Sequence, residues 1–157
     1  MPMNKKVPNK NSKEAIFGGR STPRGFYNYA KVYHDAFEEL EKLSENTVRF
    51  YPATYFLASR SIELALKSVL RFYKYSLDEL ARDKFGHNLT NLVRENEDKG
   101  YLTLSEKEKE IIKSTDYWYK SKQYEYQITG LKQLPKSEDL SFVCVKLLDK
   151  SKAVIGS

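Results

Sequence analysis

Four charged side chains recur at helical spacing between residues 60 and 71: Arg60, Glu63, Lys67 and Arg71. At about 100° per residue they share one strip of a helix whose other faces are apolar. Glu63 and Lys67 are an i,i+4 pair in the favourable order, a support to the helix of roughly 0.2–0.5 kcal/mol. Two readings fit the spacing. In one, the strip is the wet edge of the helix and nothing more. In the other, Arg60, Lys67 and Arg71 form a phosphate-binding edge oriented by Glu63.

A second candidate is His87, between Gly86 and Asn88. Asn88 can cap a following helix, so His87 stands at a helix start. The positive end of the helix dipole there disfavours a charged imidazole. A neutral ring can serve as a base or a hydrogen-bond donor; it can equally brace the junction of two helices by bonding a backbone group. The other histidine, His34, lies off the main apolar stripe of its helix and reads as an edge residue.

The third candidate is the segment from Tyr117 to Lys132, with Trp118, Tyr119, Lys120, Lys122, Tyr124 and Tyr126. Tyr124, Tyr126 and Ile128 alternate with Glu125 and Gln127, which points to some extended chain. Aromatics interleaved with lysines suit base stacking and phosphate attraction. They also suit rings packed over the end of a bundle with their polar tips wet.

Other chemistries find no support. Gly18 and Gly19 have no strand before them, so they do not make a phosphate loop. Two histidines and one cysteine give no structural zinc set at recognisable spacing, and no metal or other cofactor is expected. Nothing resembles a nucleophile elbow. The single cysteine, Cys144, excludes an intrachain disulfide and reads as a small buried hydrophobe. No run approaches the roughly 18 apolar residues of a membrane span. The opening Met-Pro-Met-Asn-Lys-Lys has no apolar stretch behind it. No secretory signal and no membrane association are expected, and the protein is read as cytoplasmic.

These residues need helices to position them. Pro23 and Gly25 mark the entry to a helix over 26–44, with Tyr29, Tyr33, Ala36, Phe37, Leu40 and Leu43 expected on its inner face. Pro52 suits the first turn of a helix over 52–74. Tyr55, Ala58, Ile62, Leu66, Val69 and Tyr73 share one of its faces, and Leu57, Leu64 and Ala65 widen the apolar arc. A helix so nearly apolar all round belongs at the centre of a bundle. Ser76 and Glu79 form a capping box for a short helix over 77–84, ended by Gly86. Asn88 caps a helix over 89–99 that closes at Gly100. Ser105 and Glu108 form a second capping box, for a helix reaching about 120 with Ile111, Ile112, Thr115, Trp118 and Tyr119 inward. Gly130 and Pro135 break the period, and a last helix over 137–154 presents Leu140, Val143, Cys144, Leu147, Leu148 and Val154.

The expected architecture is therefore all-α: a single helical bundle of about five to six helices over 25–157, behind a basic, disordered tail over 1–24. A chain of 157 residues fits one such domain. The net charge of +6 belongs mostly to the tail. Lys5, Lys6, Lys10, Lys13, Arg20 and Arg24 face Glu14 alone, a balance of +5 that leaves +1 for the rest. Such a tail can contact nucleic-acid phosphates without reading sequence, or simply solubilise the chain.

The run Ala58-x-x-x-Ile62-Glu63-x-x-Leu66-Lys67-x-x-Leu70, followed by Gly86-His87-Asn88-Leu89-x-x-Leu92, resembles the HEPN superfamily of small helical bundles. The match covers about residues 55–95. The stretch Lys122-Gln-Tyr-Glu-Tyr-Gln is similar to an aromatic-basic stretch in some HEPN-like bacterial proteins. The resemblance implies an all-α bundle, often a homodimer, that works near nucleotides or RNA. Frequent settings are beside a nucleotidyltransferase, in toxin–antitoxin pairs with an antitoxin partner, or in phage defence. HEPN ribonucleases carry an arginine, four to six residues, then a histidine. Arg82 and His87 meet that count, and Asp83 supplies the polar residue that often follows the arginine. The family places this motif late in the domain, facing a dimer cleft, whereas Arg82 and His87 straddle an earlier helix break. The expectation is thus a non-catalytic HEPN-like module that binds a nucleotide, RNA or partner protein through Arg60, Glu63, Lys67, Arg71, His87, Lys122, Tyr124 and Tyr126. The alternative is a metal-independent ribonuclease with His87 as acid or base and Arg82 stabilising the phosphorane charge.

Overall fold

The computed structural model describes residues 12–44, 51–82, 84–124 and 134–156. Among these residues the chain is all-α, with seven helices and no strand: α1 Lys13–Phe17, α2 Pro23–Ser44, α3 Tyr51–Phe72, α4 Leu77–Ala81, α5 Leu89–Asp98, α6 Glu106–Lys120 and α7 Ser137–Ile155. None is long and apolar enough to cross a membrane.

α3 is the centre of the bundle. Every residue from Ser61 to Leu70 is buried. Ile62, Leu66, Val69 and Leu70 are fully enclosed, and each such side chain contributes roughly 1.5–3 kcal/mol. Small residues on α3 let neighbours approach, and their polar atoms are bonded. Ser61 donates to the Ala30 carbonyl (2.7 Å), and Ser59 and Thr115 share a hydrogen bond (2.9 Å). The pairings fix direction. Ser59 meets Thr115 and Glu63 meets Tyr119, so α6 runs parallel to α3. Ala58 meets Cys144 and Ala65 meets Ser151, so α7 does too. Ser61 meets Ala30 of α2 and Arg71 meets Ser21 just before it, so α2 runs antiparallel.

The local stop and start signals act as their chemistry dictates. Ser76 with Glu79 and Ser105 with Glu108 form complete capping boxes. Asn88 accepts from the Asn91 amide, and Gly100 adopts φ +72°. Gly86, however, does not end α4. The helix stops at Ala81, where Arg82 turns extended. A Cβ on Gly86 would lie 3.1 Å from the Ala81 carbonyl oxygen and 3.2 Å from that of Arg82. The bare glycine lets the loop close on the end of α4, with its amide 2.6 Å from the Arg82 oxygen.

Two expectations need correction. The inner face of α2 is rotated: Ala30 and Phe37 are fully buried and Phe26, Tyr27 and Tyr33 pack beside them, while Tyr29 and Leu43 are 65% and 67% exposed. The apolar arc of α2 is wider than the bundle can cover, and its surplus faces out. The described part of the expected tail is also docked. α1 lies within it, and Arg71 donates to the Gly18 and Ser21 carbonyls and the Glu14 carboxylate, as well as to the Tyr75 carbonyl in the turn after α3. Asp78 accepts from the Lys13 and Glu14 amides. Lys5, Lys6 and Lys10 lie outside the described residues.

Candidate functional site

Glu63 is the hub of a polar cluster inside the bundle. Its side chain is fully buried, although the sequence put it on an open strip. Lys67, one turn on, places Nζ 2.5 Å from Oε1. Arg60, one turn back, places Nη1 3.0 Å from Oε2. The Tyr119 hydroxyl, brought alongside by α6, donates to Oε2. His87 Nδ1 lies 3.1 Å from the same oxygen and 3.3 Å from the Tyr119 hydroxyl, with the two rings edge-to-face. Burial alone would raise the Glu63 pKa. The His87 hydrogen bond and the Lys67 and Arg60 charges outweigh it and hold the carboxyl well below its ordinary range. Burial and then the Glu63 charge push the Tyr119 phenol up, so it stays a donor.

An ionised carboxylate only accepts, so His87 Nδ1 carries a proton toward Glu63. When the ring is neutral, Nε2 is left as an acceptor, and the side chain is 45% exposed. Arg60 is the other member that reaches solvent, at 28%; Lys67 is nearly enclosed. Arg60 and Lys67 against Glu63 give +1 before any charge on His87, and of these Arg60 is the member that faces outward.

The helix break places His87. Its backbone is left-handed, φ +54°, a conformation that costs an L-residue about 1 kcal/mol and that histidine tolerates better than most. Asp116, buried on α6, holds the start of α5 beside it by accepting from the Leu89 amide (2.9 Å) and the Thr90 hydroxyl (2.6 Å). Asp116 has no site role in the sequence reading, and Tyr119 only a place in the aromatic-basic segment. The signal was present only as a tyrosine and an aspartate on the inward face of a helix, and their partners are tens of residues away.

The remaining candidates do not join the cluster. Arg71 is spent on residues 14–21 and Tyr75. Arg82 is exposed at the end of α4 and makes no side-chain hydrogen bond or ion pair among the described residues. Lys122 is exposed, with φ +59°. Tyr124 is buried; its hydroxyl bonds Thr115 (2.9 Å) and its ring meets Tyr55 edge-on. That is the packing role, not the stacking one. Asp83, Tyr126 and Lys132 lie outside the described residues. Cys144 is buried against the Ala58 carbonyl, and burial pushes its thiol up to about 12. No group of three histidine, cysteine or acidic side chains among the described residues is placed to hold a metal ion.

No family model, curated protein or solved structure matches this chain.

Proposed function

We propose that this chain is a non-catalytic HEPN-like module that binds a nucleotide or RNA through the edge where Arg60 and His87 surface. The observation that carries this reading is the cluster on Glu63: a buried carboxylate fixes two cations and an imidazole, and among the described residues Arg60 and His87 are the members that open most to solvent. An oriented guanidinium is suited to phosphate oxygens. A protein of this kind retains RNA and leaves it intact. The test is to incubate the purified full chain with single-stranded RNA in EDTA, then measure both retention on a filter and the length of the recovered RNA. Bound, full-length RNA is expected.

A second reading keeps one specific observation. An imidazole held by a carboxylate through Nδ1, with Nε2 open, is what general acid–base chemistry uses. If wild-type chain shortens the RNA and His87→Gln does not, the module is a metal-independent ribonuclease. Arg82 would then have to reach the substrate from outside the cluster.

The partner this reading favours is a second copy. Val32 and Leu43 are exposed on the outer face of α2. The helix begins with Arg24 and Lys31 and goes on to Asp35, Glu38, Glu39 and Glu41 against Lys42 alone. Antiparallel pairing sets the basic start of each helix against the acidic half of the other; parallel pairing sets like against like.

A further inference from the structure

A half-open cavity of about 260 Å³ lies where the start of α2 crosses the middle of α3. Phe26, Tyr29 and Tyr33 line one side, one turn apart along α2. Arg60 and Leu64 of α3 form the floor, and Arg20 closes the far end. No acidic residue lines it. The groove between α5 and α6 differs: there Arg94, Lys109 and Lys113 share the wall with Glu97 and Asp98, and Lys109 already pairs with Glu97.

We propose that this cavity binds a nucleoside monophosphate unit, with its base against the Phe26, Tyr29 and Tyr33 rings and its phosphate between the Arg20 and Arg60 guanidinium groups. The proposal rests on the nucleotide- or RNA-binding reading, because Arg60 belongs to both the cluster and the cavity.

The two ends of the cavity differ in chemistry. Tyr29 is 65% exposed, and nothing among the described residues covers its ring. Exposed tyrosine faces accept any base by stacking, without reading its identity. At the other end, Glu63 fixes Arg60 through Nη1 with Tyr119 beside the same guanidinium, and its remaining N–H groups are open to a ligand. Arg20 makes no side-chain hydrogen bond or ion pair among the described residues. Its place is nonetheless set: its amide bonds the Phe17 carbonyl (2.9 Å), and Arg71 holds the carbonyl of the next residue, Ser21 (2.9 Å). Two guanidinium groups facing a small carboxylate-free space match one phosphate bearing two charges. The volume is near the lower end of ligand sites, about 300 Å³. That suits one base and one phosphate and excludes an enclosed oligonucleotide.

The same unit can be a free nucleotide or the phosphorylated end of an RNA. Titration calorimetry on the full chain tests the site with AMP, adenosine and inorganic phosphate as probes. AMP is expected to bind, with adenosine and phosphate each weaker by about tenfold or more. Arg20→Ala and Tyr29→Ala should each weaken AMP by about tenfold while the melting temperature holds, since both side chains are exposed. Lys113→Ala, in the groove between α5 and α6, should leave AMP binding unchanged. Competition then identifies the source. A 5′-phosphorylated RNA decamer that displaces AMP, where its 5′-hydroxyl twin does not, supports the site as a reader of RNA ends. AMP binding that neither decamer disturbs supports it as a mononucleotide site. The proposal is overturned if wild-type chain fails to bind AMP at about 1 mM, if adenosine binds as well as AMP, or if neither Arg20→Ala nor Tyr29→Ala changes the affinity. If the 5′-hydroxyl decamer binds and AMP does not, the cavity assignment falls alone. If neither binds, the nucleotide- or RNA-binding reading falls with it.

Discussion

Replacing Glu63 by glutamine keeps the shape of the side chain and removes its charge. Lys67 then sits nearly enclosed with no carboxylate, and Arg60, His87 and Tyr119 lose the strong acceptor they share. Removing one partner of a buried ion pair costs about 3–5 kcal/mol, because the other charge stays desolvated. For a chain of this length each kcal/mol moves the melting temperature by about 2–4 °C, so Glu63→Gln should melt roughly 6–20 °C below wild type. The pH dependence provides an internal control. The native pKa of Glu63 lies below its unfolded value. Near and below the unfolded value, about 4.3, the unfolded chain binds more protons than the native one, and stability falls as pH falls. The Glu63 contribution is thus whole at neutral pH and is lost progressively in acid. Glu63→Gln has no such contribution to lose, so the gap between the two melting temperatures should narrow from pH 7 to pH 3. Thermal melts followed by circular dichroism at both pH values measure this. A melting temperature within about 2 °C of wild type at pH 7, or a gap that does not narrow in acid, would show that Glu63 is not an ionised partner on which the fold depends.

Three further outcomes follow from the same geometry. His87→Ala should be less stable than His87→Gly by about 1 kcal/mol in urea unfolding, because both lose the bond to Glu63 but only alanine keeps a Cβ in the left-handed conformation. Arg71→Ala should speed amide exchange across residues 13–21 far more than in α3, at a cost of about 2 kcal/mol, since the guanidinium ties that segment down. Wild-type chain should sediment as a dimer and the Val32→Asp, Leu43→Asp double variant as a monomer; a monomeric wild type at tens of micromolar would remove α2 as the contact.

Features carried by near neighbours in sequence were the legible ones. Ser76, Asn88, Ser105 and Gly100 act within one turn, and each does what its side chain or lack of one dictates. The burial of α3 was legible too, because apolar residues occupy most of its circumference. The orientation of α2 was not. Its apolar arc covers both a bundle face and an outer stripe, and periodicity cannot say which half meets α3. Glu63 misled for a related reason. Its local partners Arg60 and Lys67 suggested a wet strip, while Tyr119 and His87, which make burial tolerable, come from α6 and the loop before α5. Arg71 shares the spacing of that strip but lies beyond the cover of α6, where residues 14–21 take it. α1 is one short turn with exposed apolar residues, too brief for a period to register.

Arg60 is the group proposed to meet phosphate. The most direct test is the salt dependence of single-stranded RNA binding, measured by fluorescence anisotropy for wild type and Arg60→Gln. Each phosphate neutralised contributes about 0.7 to the slope of log affinity against log salt. Arg60→Gln should bind more weakly, with a slope smaller by roughly that amount and the RNA intact in EDTA. An unchanged slope and affinity would mean that Arg60 does not contact the RNA.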